Sequence, residues 1–483
     1  MTELTGQNAD LGSGSVGKWL AKLAIPSIIA QLINALYNIV DRMYLGHMGD
    51  GGGLALTGVG LCFPIVMVIS AFSAFVGMGG GPRASIALGR GDREGAERIL
   101  GNCFSLLLGI SVTLMAVLLP LAGPLLRCFG ASDATLPYAQ DYLTFYLCGT
   151  LFVQMSLGMN SFITMQGRAT ISMMTVVIGA VLNISLDPLF IYGINMGVRG
   201  AALATVLSQA VSCLWVLWFL FGKKTALRIR RGCLRPRWNI LAPVMALGLS
   251  PFVMQATESA INIVFNTQLQ TYGGDVAVGA MTICGSVLQM MFLPMQGLTQ
   301  GAQPIISFNY GARKPDRVRR AFFLLLGFEV FFYMLLFLSC QLFPQVLVSV
   351  FNDDPTLTEY TVWALRIYMA GCFMMAVQGS CQQTFVALGQ SKISLFFALL
   401  RKVILLIPLA YILPCFFPQN PVFGVFLAEP VADIACASVV GITFLFRFPK
   451  LMRQIENLPE EFARAIEEDA IDSPPAAGID RFR

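Results

Sequence analysis

Long apolar runs dominate the chain, interrupted by short polar connections. They recur near 24–46, 55–81, 100–125, 140–165, 171–193, 198–221, 241–271, 277–308, 321–346, 361–387, 394–415 and 422–446. Each is long enough, at 1.5 Å per residue, to cross a hydrocarbon core of roughly 30 Å. The pattern predicts an all-α polytopic membrane protein with about twelve transmembrane helices. The first fifteen residues are polar and rich in Gly and Ser, without a basic segment leading into a short apolar core and a cleavage site. The first apolar run is therefore expected to act as an uncleaved insertion signal.

Inside these runs a few polar residues recur at helical spacing. In the first, Gln31, Asn34, Asn38 and Asp41 follow one another at intervals of three, four and three, which keeps them within an arc of roughly 80°. In the fifth, Asn183 and Asp187 are one turn apart before Pro188, and in the sixth Thr205 and Gln209 repeat that spacing. In the seventh, Glu258, Asn262 and Asn266 form another stripe. An acid near the middle of a spanning helix costs about 2.5 to 3.5 kcal/mol on insertion scales, so it is read first as functional. Asp41 with Asp187 could supply oxygen ligands for Na⁺ or share one proton, because two like charges in a low-dielectric site do not both ionise readily. Hydrogen bonding between helices is the plainer alternative. A cavity lined by both stripes would attract cations, with Tyr37, Phe265, Met290, Met291 and Gln300 as apolar and adaptable contacts. Glu329, Glu429 and Asp433 are further costly acids, and Arg401 is expected to pair with Glu429 or Asp433.

The chain also resembles itself at an offset of about 222 residues, which aligns Gly79-x-x-Pro82-x6-Gly89 with Gly301-x-x-Pro304-x6-Gly311. Gly167 then matches Gly389, and Gly200 matches Gly424 at a slightly larger offset. This predicts two pseudo-symmetric six-helix bundles, at 1–222 and 241–450, joined by a linker at 223–240 and followed by an acidic tail at 451–483. Six spans per half is an even number, so both halves enter from one side, with a cavity between them near mid-membrane.

Charge sets the orientation. Only 12% of the 483 residues are charged and 56% are apolar, too little charge for a water-soluble surface. Arg90, Arg93, Arg98, the stretch from Lys223 to Arg237, Arg313 to Arg320 and Arg447 to Arg453 fall on one side. The opposite connections hold Arg42, Arg127, Arg199 and Arg366. The positive-inside rule makes the first side cytoplasmic, with both termini there. The net charge of +5 thus reports orientation in a membrane, and nucleic-acid binding is not expected. The twelve cysteines include no CxxC pair, and Cys62, Cys103, Cys148, Cys284, Cys372, Cys381 and Cys436 sit inside apolar runs as packing residues. No GxxxxGKS/T loop is present, so ATP-driven transport by this chain is not expected. One histidine, His47, leaves no room for His-based metal chemistry or proton relays. No catalytic constellation is visible, and no cofactor beyond a coupling H⁺ or Na⁺ is expected.

Taken in order, Pro26 with Asn38-Ile-Val-Asp41, Gly89-Arg-Gly-Asp92, Gln166-Gly-Arg-Ala169, Asn183-Ile-Ser-Leu-Asp187-Pro188 and Gly197-Val-Arg-Gly-Ala-Ala-Leu-Ala-Thr205, then Gln300 and Phe308-Asn-Tyr-Gly-Ala312, resemble the multidrug and toxic compound extrusion (MATE) family. The likeness spans residues 15 to 450 and is nearest to a MepA-like bacterial branch. It implies a V-shaped pair of bundles, antiport of small organic cations against H⁺ or Na⁺, and alternating access; the compact loops and the likeness together point to a bacterial plasma membrane, and a monomer is expected. It also implies a cation site made by Asp41, Asn183, Asp187, Thr205 and the carbonyl of Ala201. Glu258 is similar to an acid some members use for Na⁺ or substrate, but their second acid, in the tenth helix, is missing: no Asp or Glu occurs from Tyr360 to Ala428. A lipid-linked precursor or polysaccharide flippase of the same superfamily is the alternative; it would want a cationic cavity.

Overall fold

The computed structural model describes residues 11–48, 52–222, 225–351 and 354–472, with side chains up to Glu456. Among them every regular element is a helix. The first half holds α1 (Val16–Gly46), α2 (Gly52–Gly89), α3 (Arg93–Cys128), α4 (Leu136–Cys148), α5 (Thr150–Met165), α6 (Ala169–Pro188) and α7 (Val198–Phe221). The second holds α8 (Trp238–Gly311), α9 (Pro315–Leu342), α10 (Pro344–Ser349), α11 (Pro355–Tyr368), α12 (Met375–Ala387), α13 (Ser391–Leu399), α14 (Ile407–Phe416) and α15 (Pro421–Asp472).

Twelve spans follow from these elements. Nine helices among the described residues are long and apolar enough to cross a membrane, and the bent pairs α4–α5 and α11–α12 each make one more. The twelfth comes from α8, whose 74 residues would run about 110 Å if straight, several times a hydrocarbon core. It is broken at Gly274, where φ is 64°, a conformation that only glycine adopts cheaply. Trp218, Phe416, Leu445 and Phe446 point outward, as a lipid-facing surface requires. The last helix runs on to Asp472, well past the expected end of its span near 446; residues 473–483 of the acidic tail lie outside the described set.

The internal repeat appears in three dimensions as matched irregularities. The fourth span bends by 58° at Gly149 and the tenth by 42° around Gly371, positions about 222 residues apart. Gly167 and Gly389 both have positive φ, 77° and 73°, and each turns the chain into the following helix. Neither break was expected from hydropathy, because both sit within unbroken apolar runs.

The two bundles meet at the end that carries the basic connections. There α2 lies against α8 so closely that a Cβ on Gly89 would strike the carbonyl of Phe308, and one on Gly311 would strike that of Ile86. Since Ile86 and Phe308 are themselves repeat partners, the contact is isologous in form, as a twofold axis demands. Two clasps flank it. Before α1, the carbonyls of Leu11, Ser13 and Gly14 accept hydrogen bonds from Arg317 at 3.0, 3.0 and 2.6 Å, and Lys314 Nζ donates to Gly12 at 2.7 Å. In the linker before the seventh span, Asn102 accepts from the Arg237 amide at 2.6 Å and donates to the Cys233 carbonyl at 3.2 Å. The segment leading into each bundle is thus gripped by the other half.

Candidate functional site

A cavity opens inside the first bundle. Asn34 and Tyr37 of α1, Ser156 and Asn160 of α5, Thr175 and Asn183 of α6, and Thr205, Ser208, Gln209 and Ser212 of α7 line it. Apolar spans place these polar groups inward because a hydroxyl or amide facing lipid has no partner. Several bond one another: Thr175 Oγ1 donates to Asn160 Oδ1 at 3.1 Å, and Ser212 Oγ donates to the Thr175 carbonyl at 3.0 Å.

Beyond Asn183 lies a second layer. Asn183 Nδ2 is shared between Asp187 Oδ1 at 3.4 Å and Thr205 Oγ1 at 3.3 Å. The Asp41 carboxyl, from α1, lies close enough to the Asp187 carboxyl, from α6, for the two to act directly on each other. Two carboxyl groups can bond only through a proton held between them, or be bridged by a cation. Asp187 is 0% exposed, and Asp41 Oδ1, Asn183 Oδ1, Asp187 Oδ2 and Gln209 Oε1 are buried with no hydrogen-bond partner. Buried acceptors left unpaired are costly. Four such oxygens on three neighbouring helices suit a small hard cation or a proton. Ala201 is fully buried one turn before Thr205.

The other predicted positions divide. Asn38 Nδ2 is turned back onto the Asn34 carbonyl at 2.6 Å, and Gln31 is half-buried on α1; neither lines the cavity. Phe265 is 1% exposed and packs in the core of the second bundle, in place of the cavity contact expected of it. Asn262, Asn266 and Met290 are exposed and Met291 and Gln300 half-buried, but none of them, nor Glu258, borders this cavity. All its lining residues fall between Asn34 and Ser212, so this cavity lies within the first bundle. Glu258 is instead ion-paired with Lys402. Arg401 binds both acids considered for it, Glu429 and Asp433, each at 2.8 Å. Glu329, which lacked any partner in the sequence, accepts from Ser380 Oγ at 2.6 Å and Thr299 Oγ1 at 2.8 Å. The residues missed were Ser156, Asn160, Thr175, Ser208 and Ser212. Their only signal is i, i+4 spacing of small polar groups within apolar runs, which equally marks helix packing.

Twelve helical spans in two bundles, with a polar cavity and two neighbouring acids inside one of them, define a multi-pass membrane transporter. The MatE family model matches the chain twice, over residues 26–189 and 251–412. The chain belongs to this family. It is similar to the multidrug export protein MepA of Staphylococcus haemolyticus, 24% identical over 426 residues that cover 88% of this chain and 92% of that protein. MepA of Staphylococcus aureus strain N315 is 24% identical over 444 residues, 89% and 94% of the two chains. Among solved structures, an outward-facing multidrug resistance MATE family transporter of the MOP superfamily superposes with a TM-score of 0.86 at 25% identity, covering 92% of this chain and 99% of that one. A MATE protein in a bent conformation gives 0.87 at 25% identity, covering 94% and 100%.

Proposed function

We propose that this protein is a secondary multidrug efflux antiporter that expels small organic cations in exchange for H⁺ or Na⁺ by alternating access. The observation that carries the reading is the cluster of unpaired buried oxygens from Asp41, Asn183, Asp187 and Gln209, with the two acids close enough to act on each other, directly behind a polar cavity. When a proton or Na⁺ occupies that layer, it lowers the pair's charge from −2 to −1, the mutual repulsion is relieved and α1 and α6 can close on each other. When it leaves, mutual repulsion loosens the same helices, and the cavity changes shape and charge together. Ion and substrate thereby draw on one conformational equilibrium, which is what exchange requires. Pro26 within α1 removes a backbone hydrogen bond and gives that helix a place to bend. The Lys and Arg distribution supports both termini in the cytoplasm, and the likeness to staphylococcal MepA supports a bacterial plasma membrane.

The flippase alternative finds no support in the cavity, since no Lys or Arg is among its lining residues to bind a pyrophosphate. The test is efflux of a fluorescent organic cation from proteoliposomes under a pH gradient and a Na⁺ gradient imposed separately, with Asp41→Asn alongside. Efflux under one gradient, lost in the variant, is expected. Full coupled efflux by Asp41→Asn would defeat the proposal.

A further inference from the structure

The second bundle holds a charge cluster that the first-bundle site does not use. Between Leu400 and Leu406 the eleventh span winds as a π-helix. Such a turn rotates less per residue than an α-helix, so the consecutive cations Arg401 and Lys402 can both face inward, and π segments inside helices are frequent at functional sites. Arg401 takes Glu429 and Asp433 of α15. Lys402 takes Glu258 of α8 and also donates to the Met254 carbonyl at 2.7 Å. Lys402 and Glu429 also lie in each other's field. Three carboxylates against two cations leave one negative charge in excess, so the cluster can accept one further cation before reaching neutrality.

The two pairs differ in access. Arg401 and its acids are nearly closed off, at 12%, 8% and 3% side-chain exposure, whereas Glu258 is 61% exposed over a Lys402 that is 7% exposed. Glu258 shares its helical face with Phe265 and Leu269, seven and eleven residues on, both buried in the second-bundle core. Its exposure is therefore an opening on the bundle side of the helix, away from lipid. A second group faces the same level. Gln382 of α12 touches Met254 Sδ at 3.3 Å, and the two helices run antiparallel, so Gln378, one turn earlier, is carried toward the level of Glu258. Gln378 is 6% exposed and its Oε1 has no partner.

We propose that Lys402 is a tethered counter-cation of the second bundle, which a cationic substrate must displace from Glu258 in order to bind there. The displaced ammonium keeps its bond to the Met254 carbonyl and the field of Glu429, and the incoming cation cancels the excess negative charge. Gln378 Oε1 offers it a second acceptor. Lys402 then sets specificity: only a cation that outcompetes an ammonium already in place is retained. The inference rests on the organic-cation reading of the substrate but needs no coupling ion.

Equilibrium binding of ethidium to purified protein, followed by fluorescence without any gradient, tests it. Lys402→Gln should bind at least tenfold more tightly, Lys402→Arg within about twofold of wild type, and Glu258→Gln at least tenfold more weakly. The double variant should match Glu258→Gln. A purely structural ion pair predicts instead that Lys402→Gln and Glu258→Gln weaken binding alike, and that outcome overturns the proposal. Should Lys402→Gln not fold, Glu258→Gln still decides, because unchanged ethidium affinity in it is equally fatal. Absence of ethidium binding by wild type defeats both this inference and the substrate reading. Tight binding by Lys402→Gln with no gradient-driven efflux defeats only the antiport.

Discussion

The grip of Arg317 on the segment before α1 should control how readily the basic end of the molecule opens. The guanidinium donates to three leader carbonyls, and its Nε to Asn309 Oδ1 at 2.9 Å. The leader is in turn fixed to α1, because Trp19 Nε1 donates to the Ser13 carbonyl at 2.9 Å. Two of the three carbonyl bonds are exposed, so the full value of charge-assisted bonds does not apply, and about 1 kcal/mol each is a fair allowance. Arg317→Ala should then favour the open arrangement by about 3 kcal/mol, or roughly a hundredfold in the opening equilibrium. Spin labels at Glu94→Cys and Asp316→Cys, exposed near the starts of α3 and α9, would report the separation of the halves by pulsed electron resonance. The exposed Cys128, Cys148 and Cys415 would be replaced by Ser. The expected result is a long-distance population in Arg317→Ala that is minor or absent in its parent. An unchanged distance distribution would refute the idea that the clasp resists opening.

Other substitutions test the remaining contacts. Asn102→Ala removes both bonds of the reciprocal clasp and should shift the same distances in the same direction, by less than Arg317→Ala, since one neutral side chain is lost. Arg401→Met leaves Glu429 and Asp433 buried without a cation and should cost about 3–5 kcal/mol, read as a lower melting temperature in detergent; Arg401→Met with Asp433→Asn should recover part of it. Gly389→Val forces a β-branched residue to a φ of 73° and should cost on the order of 1–3 kcal/mol, with Gly167→Val behaving alike if the repeat is a true structural equivalence. If Na⁺ is the coupling ion, NaCl should raise the melting temperature of wild type beyond equimolar choline chloride, and Asp187→Asn should erase the difference.

Much of the fold was legible because a bilayer leaves a chain few choices. Apolar length gave the spans, Lys and Arg gave the expected sidedness, and glycines at one offset gave the repeat. The acids and amides of α1, α6 and α7 stood out because a polar group in hydrocarbon is expensive enough to need a reason. Hydropathy was blind to backbone breaks inside unbroken apolar runs, at Gly149 and Gly371, where the helix bends without any change in polarity. It was equally blind to which way a stripe faces, so Phe265 went to the core.

Pairing, too, depended on packing. Arg401 could be matched to its acids because a buried cation must have partners and few were available. Lys402 could not be assigned to Glu258, since their meeting depends on a π-helical turn and on the register of two helices 144 residues apart in sequence. The sequence by itself determined that this chain crosses a membrane in two related sets of helices and carries acids inside. Only the tertiary structure decided which acids face each other and which are neutralised. Solvation acts on each residue separately and so is written locally, whereas charge pairing depends on distances between helices that no local pattern encodes.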